Sequence, residues 1–299
     1  MKNSEKILHE KFVAYGADAK KWMRKCVLLL SEIDQLRIWE KKGFGSIYEY
    51  AAKLAGMSKN KVNEGLRVMD KVKDKPTLRA VVERKGVWAV KPVLTVATSE
   101  NEGFWAEKAD SMSVRSLETY VREHRRHVAS VEKPLNTVEK EAVWMEIDTK
   151  DYEQLKRWKG DGGWAEVISE LVNLKLEELR GRRPSAIKSR SRHVPVPIER
   201  YVLERCCGKC EFPKCDRDYS ALHHADRFGL VREHNPDRIF ALCREHHEIV
   251  HRGLVEGEDE DVRYWKIRER SNKTDLKYVI DSAVLSAKSK FLQSSRVAV

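Results

Sequence analysis

The sequence predicts a mainly α N-terminal domain, a small α/β connecting module and a short C-terminal module organised around metal. Three observations carry this reading. Apolar residues recur at helical spacing through roughly the first 130 of the 299 residues. Near residue 138 the texture changes and alternation replaces that spacing. Cysteine and histidine then concentrate in one stretch: Cys207, Cys210, Cys215, His223-His224, Cys243-Arg244-Glu245-His246-His247 and His251. The expected organisation is a helical domain at 1–130, a connecting module at 138–180, a basic linker at 181–193, the metal module at 194–253, and an extension of unassigned role at 254–299.

In the helical part, Trp22, Cys26, Leu29, Leu30, Ile33, Leu36 and Ile38 keep helical spacing until Gly43-Phe44-Gly45 interrupts them. Residues 46–62 have the pattern of a helix-turn-helix: Ala52, Gly56 four later, and Val62 six beyond. Small Ala lets two helices approach, Gly supplies the turn, Ser58 caps the second helix, and Val62 enters the core. As a DNA-binding unit it would present Lys59, Asn60, Lys61, Asn63 and Arg67. A helical hairpin used only for packing is the alternative. Pro76 starts another helix, which Lys85-Gly86 ends, and short helices follow at 87–98, 100–110 and 113–127, the last capped from Ser113 or Ser116. Trp88, Phe104 and Trp105 read as packing residues.

Residues 142–148 alternate as a strand does, Asp151 opens a helix, 160–163 form a loop, and 164–179 read as an amphipathic helix. The stretch 182–192 contains Arg182, Arg183, Lys188, Arg190 and Arg192 and no acidic residue. It reads as a mobile linker whose cations grip phosphates, or as a solubilising tether. A short helix then leads to the cysteine knuckle. The acidic run 256–261 reads as a solvated loop, with shielding of the basic site as a second role; a strand at 262–267 and a helix at 273–291 follow.

A net charge of +11 suits a polyanionic partner without identifying it. The longest apolar run, 26–30, is far short of the ~20 residues that span a bilayer, and Met1-Lys2-Asn3-Ser4 leads into no secretory core, so the expectation is a cytoplasmic protein with no membrane partner. Four of the six cysteines crowd the knuckle, which favours metal over disulfides and leaves Cys26 and Cys206 as free thiols.

Structural zinc takes four ligands, usually as two closely spaced pairs. Cys210 with Cys215 and Cys243 with His246 supply such pairs, and Cys207 with Cys210 is a rival first pair. His247 and His251, four apart, share one helix face. His223 and His224 follow the apolar residues 219–222, which read as a strand. Strict alternation would send only one of them to a common site, so a twist or strand end must admit both. On this reading His223, His247 and His251 hold one divalent ion with positions open to water and phosphate. His224, with its near-neutral pKa, is the general base.

Leu222-His223-His224, Cys243-Arg244-Glu245-His246-His247 and His251 together resemble the HNH nuclease family with its ββα-metal, treble-clef-like core. The resemblance implies a zinc-bound nuclease domain: a metal-dependent DNA endonuclease acting on double-stranded DNA. In the family the first histidine of the pair is a metal ligand and the second is the base. It also implies a structural Zn²⁺ and a catalytic Mg²⁺ or Mn²⁺, with Zn²⁺ or Ni²⁺ as further candidates. The family's middle Asn falls here on Arg238, nine residues before His247, where an arginine would contact phosphate instead; Asn235 is the substitute if the loop is longer. Segments 43–50, 55–58, 145–148 and 196–215 extend the likeness to bacterial HNH proteins with a helical N-terminal domain. Such a centre cuts one strand, so a double-strand break needs two centres, as in a homodimer, or a sequential reaction. The rival reading is a non-catalytic DNA-binding protein using the helix-turn-helix with the zinc module as scaffold. RNA ranks lower because no single-strand stacking motif is evident.

Overall fold

The computed structural model describes residues 3–131, 142 and 144–297, which divide into two units, Met1–Glu123 with Val284–Val299, and His124–Ala283. Helix predominates, and the strands form small antiparallel two-stranded sheets.

The first unit contains α1 (Asn3–Gln35), α2 (Ile38–Lys41), α3 (Ile47–Ala55), α4 (Lys59–Lys71), α5 (Pro76–Lys85), α6 (Val87–Val90) and α7 (Glu102–Ser111), and α8 (Val114–Val131) leads out of it. Local chemistry sets the ends. The Ser46 hydroxyl accepts the Glu49 N–H, Gly56 closes α3 at φ 61°, and Ser58 accepts the Lys61 N–H to start α4. Val62 is fully buried. The small residue that permits close helix approach is not Ala52, which is exposed, but Ala51 beside it and Gly65 on α4. A Cβ on Gly65 would lie 3.0 Å from Val27 Cγ1 and 3.1 Å from Leu30 Cδ1 on α1, so a larger residue would make these side chains shift. The helix expected at 87–98 stops at Val90 and becomes a 3-10 turn at Lys91–Val93, because Pro92 lacks the N–H that an α-turn needs. Trp105 is buried against Tyr120, whereas Trp88 is half exposed under the Lys91 ammonium.

In the second unit α9 (Thr149–Lys159) and α10 (Trp164–Gly181) flank the loop at 160–163, and Asp148 rather than Asp151 caps α9. The strand expected at 142–148 is not formed in residues 142 and 144–148; Val143, like 138–141, lies outside the described residues. Alternation makes a strand only where another edge offers hydrogen bonds, and none pairs with this stretch among the described residues.

There follow β1 (Ile187–Lys188), α11 (Val196–Cys206), β2 (Ala221–His224), α12 (Phe228–Val231), β3 (Glu233–His234), β4 (Ile239–Leu242), α13 (Arg244–His251), β5 (Val255–Glu256), β6 (Lys266–Ile267) and α14 (Leu276–Val297). β2 pairs with β4 in regular register, His223 opposite Phe240 and His224 opposite Ile239. All four residues of β4 are buried, and Ile239 and Ala241 form a core with Val194, Ile198, Tyr201 and Val202. Part of the stretch expected as a strand at 262–267 is a 3-10 turn, leaving β6 to pair with β5. The basic segment is pinned rather than loose: β1 pairs with β3, Arg183 grips Asp237 through two nitrogens, and the Ser191 carbonyl accepts from His234. Among the described residues no helix is long and apolar enough to cross a membrane.

Candidate metal centres

Among the described residues two groups of ligand atoms form, each with all its atoms within 4.8 Å of one another: Cys210, Cys215, Cys243 and His246, and His223, His247 and His251. α13 serves both. Cys243 is its N-cap, with Sγ accepting the His246 N–H, and the helix carries His246 to one group and His247 and His251 to the other.

The first group is enclosed. Cys210, Cys243 and His246 are buried, and Phe212 stacks on the His246 ring at 4.0 Å. His246 Nδ1 lies 3.4 Å from both Cys210 Sγ and Cys243 Sγ. A tetrahedral ion with Zn–S near 2.3 Å and Zn–N near 2.0 Å has S···N edges of about 3.5 Å, which these two edges match. The Cys215 thiol is pushed down in pKa, first by the Cys210 thiol beside it and then by that of Cys243, with Arg217 adding to the effect against burial. A thiolate is therefore favoured where a cation would sit. Cys207 is exposed with its sulfur toward the Glu204 carbonyl, which removes it as a rival ligand. This cluster could hold a metal ion such as zinc.

The second group is more open. His223 is buried, His247 and His251 only half so. The Nε2 atoms of His247 and His251 are 3.1 Å apart. His223 Nε2 meets Glu258 Oε1 at 2.8 Å, while its Nδ1 is buried with no hydrogen-bond partner. His251 Nδ1 meets Asp281 Oδ1 at 2.9 Å. A carboxylate only accepts, so the acids favour the proton on His251 Nδ1 and on His223 Nε2, the latter against the Arg227 Nη1 donor 3.1 Å from the same nitrogen. That leaves the lone pair of His223 Nδ1 without a hydrogen-bond partner and turns the lone pair of His251 Nε2 toward His247 Nε2, the arrangement in which outer carboxylates orient metal-binding histidines. Arg227 ties the two acids together, donating from Nε to Asp281 at 2.8 Å and from Nη1 to Glu258. Burial, then Arg227, then the two neighbouring histidines push His223 well below the usual imidazole pKa, so it is neutral, as a ligand must be.

His224 takes the other face of β2. Its Nε2 lies 3.0 Å from His234 Nδ1, and His234 Nε2 lies 3.0 Å from the Ser191 carbonyl oxygen. That oxygen can only accept, so His234 donates from Nε2, and its Nδ1 accepts from His224 Nε2–H. The unprotonated nitrogen of His224 is therefore Nδ1. Burial, followed by His234, Arg192 and Arg227, lowers its pKa to about 4, so the near-neutral value expected of His224 is not kept and its imidazole is a weaker base than a free one. The expected twist that would turn both histidines to one side is absent: the pairing is regular and the two side chains diverge, His223 toward His247 and His251, His224 toward His234 and Phe228.

Arg238 is fully engaged. It makes a two-point bond to Asp226 at 2.9 and 2.8 Å and donates to the Glu258 and Asp259 carbonyls. Its guanidinium holds the Asp226 carboxyl below its ordinary pKa. Any phosphate reaching Arg238 would compete with Asp226. The Asn235 side chain turns back to the Asp237 N–H. On α4, Lys59, Asn60, Asn63 and Arg67 are exposed and Lys61 half so, and Asn63 accepts from the Tyr48 hydroxyl at 2.8 Å. In the basic segment Arg182 pairs with Glu178 and Arg183 with Asp237, while Lys188 lies on β1 with Arg190 and Arg192 following it.

Sequence reasoning passed over Arg227, His234, Glu258 and Asp281. It read Glu258 within a solvated acidic loop, but the carboxylate points inward to His223 and Arg227. His234 was visible as a further histidine between the motif halves. Nothing marks Asp281, which lies on α14, 30 positions beyond the His251 it contacts. No protein-family model, no curated protein and no solved structure matches this chain.

Proposed function

We propose that the second unit is an HNH-type, metal-dependent DNA endonuclease. The carrying observation is the separation of two ligand sets on one helix: an enclosed three-sulfur, one-nitrogen set beside a half-open three-imidazole set whose nitrogens lie within 4.8 Å of one another. In this reading Cys210, Cys215, Cys243 and His246 hold a structural Zn²⁺. His223, His247 and His251 hold an exchangeable divalent ion such as Mg²⁺ or Mn²⁺, which when bound stabilises negative charge on the scissile phosphate and the leaving oxygen.

The protein's own groups do the rest. His224, neutral at pH 7, takes a proton from water at Nδ1, and His234, anchored by the Ser191 carbonyl, fixes the ring that does so. Glu258 and Asp281 keep the two histidines in the tautomers that leave lone pairs for the ion. The net charge of +11 draws in the polyanion, and Lys59, Asn60, Arg67, Arg190 and Arg192 are the exposed groups offered to its phosphates. Because His224 and His223 diverge, the substrate must span the end of β2 to meet both.

One observation favours the non-catalytic reading, a DNA-binding protein with a zinc scaffold: Arg238 and Glu258 are already tied into internal ion pairs next to the three histidines. The deciding experiment is nicking of supercoiled plasmid with and without Mg²⁺ or Mn²⁺, comparing wild type with His224→Ala and counting bound metal. Metal-dependent nicking lost in the variant, with two ions per chain of which one exchanges, supports the nuclease. DNA binding with one ion and no nicking supports the scaffold.

A further inference from the structure

The N-terminal helix has a surface that the first unit does not use. α1 is 33 residues long, about 50 Å at helical rise, yet its buried residues are Val27 and Leu30, which pack toward α4. No described residue from 4 to 22 is buried. Leu8, Tyr15, Trp22 and Leu29 recur every seventh residue, and each is more than half exposed. Phe12, Ala19, Cys26 and Ile33 stand four residues after each of them; Phe12 is 78% exposed and Ala19 exposed, while Cys26 and Ile33 are half-buried. This is the a/d pattern of a coiled-coil seam sustained over four heptads. On the helical wheel the seam lies about 100° round from Val27 and Leu30, so it is not the face spent on the first unit's own core.

We propose that α1 pairs antiparallel with α1 of a second copy of this chain. The seam's shape and its charges argue for this occupant and this direction. In an antiparallel pair, a residues face d residues. The register that sets Ala19 against the partner's Trp22 also sets Cys26 against the partner's Tyr15, so each large ring meets a small side chain. It sets Phe12 against the partner's Leu29 and Ile33 against the partner's Leu8. The same register brings the flanking position Lys11 to the partner's Glu32, and Asp18 to the partner's Lys25. The order plus, minus, plus, minus along this edge is its own complement when reversed, which is what a twofold pair requires. A parallel pair would stack Trp22 on Trp22 and set Lys11 against Gly16 and Asp18 against Met23, with no charge pairing at either. The pairing does not depend on the nuclease reading. Its consequence for that reading is two copies of each Cys/His cluster in one particle.

The test is sedimentation equilibrium of the full chain across a range of concentrations. Wild type is expected to be a dimer. Phe12→Asp, at an exposed position, is expected to be a monomer with unchanged helical circular dichroism. Lys11→Glu opposes like charges at two symmetric places and should weaken the dimer about tenfold at low salt, with the loss screened as salt rises. Lys11→Glu combined with Glu32→Lys should restore it. A wild type that is monomeric at every concentration overturns the proposal, as does a dimer indifferent to Phe12→Asp. Failure of the double reversal to rescue overturns the antiparallel register.

Discussion

The two Cys/His clusters share α13 and are built to opposite specifications. In the first, soft donors close around a point, an aromatic ring covers it, and one thiol is biased toward thiolate by its neighbours. In the second, three nitrogens converge but two of the rings stay half exposed, and the polar support comes from carboxylates behind them. A closed tetrahedral set lends its binding energy to folding; a half-open imidazole set leaves room for an ion to exchange and for a further ligand to reach it. The contrast teaches that adjacent residues such as His246 and His247 can belong to different chemistry, because one step along a helix turns the side chain by about 100°.

The largest break in this contrast should come from Cys243→Ser, which removes a sulfur from the first group while its hydroxyl can still cap α13. Structural zinc in small modules binds with roughly 10–16 kcal/mol, so loss of the first ion should cost the module its ordered packing. Near-ultraviolet circular dichroism and metal analysis would show both losses together; a variant that keeps its spectrum would deny the first cluster a structural role. His247→Ala should do the reverse, retaining one ion and the fold while abolishing metal-dependent nicking. An unchanged metal count there would remove the second site.

Asp281→Asn sharpens the comparison further. It keeps the size of the side chain but loses the charge that orients His251, and removal of such outer-shell partners costs about 10–100-fold in metal affinity. Calorimetric titration with Mn²⁺ should show that loss at one site alone; an unchanged affinity would make Asp281 a partner of Arg227 only.

The smallest effect concerns pH. His224 has a folded pKa of about 4, against an ordinary value of about 6.5. Between those values the unfolded chain binds a proton that the folded protein refuses, so stability falls as pH drops from about 6.5 toward 4 and is restored above 6.5. Urea midpoints at pH 7 and pH 5 should therefore separate more in wild type than in His224→Gln. Because the His223 shift has the same sign and persists in both proteins, the difference reports His224; equal separations would contradict its lowered pKa.

Much of this was legible from residue spacing. The knuckle Cys210 to Cys215, the cap Cys243 with His246, and the pair His247 with His251 are local patterns, and local geometry is what periodicity encodes. The helix-turn-helix punctuation at Gly56 and Ser58 was readable for the same reason. The reading failed where a residue's fate depended on a distant partner. The stretch 142–148 alternates but finds no edge to pair with among the described residues. The basic segment looked loose because its anchors, Asp237 and His234, lie more than 40 residues away. Glu258 and Asp281, two of 47 acidic residues, gave no sign in the sequence that they turn inward to His223 and His251.

The sequence by itself determined the helical character and the two ligand sets, because each follows from the repeat of a helix or the reach of a short turn. Only the tertiary structure decided which nitrogen of His223 and of His251 faces a carboxylate, that His223 and His224 face apart, and that Glu258 and Asp281 stand behind the second cluster. Those outcomes depend on which groups meet across long stretches of chain, and a proton goes to whichever nitrogen finds an acceptor there.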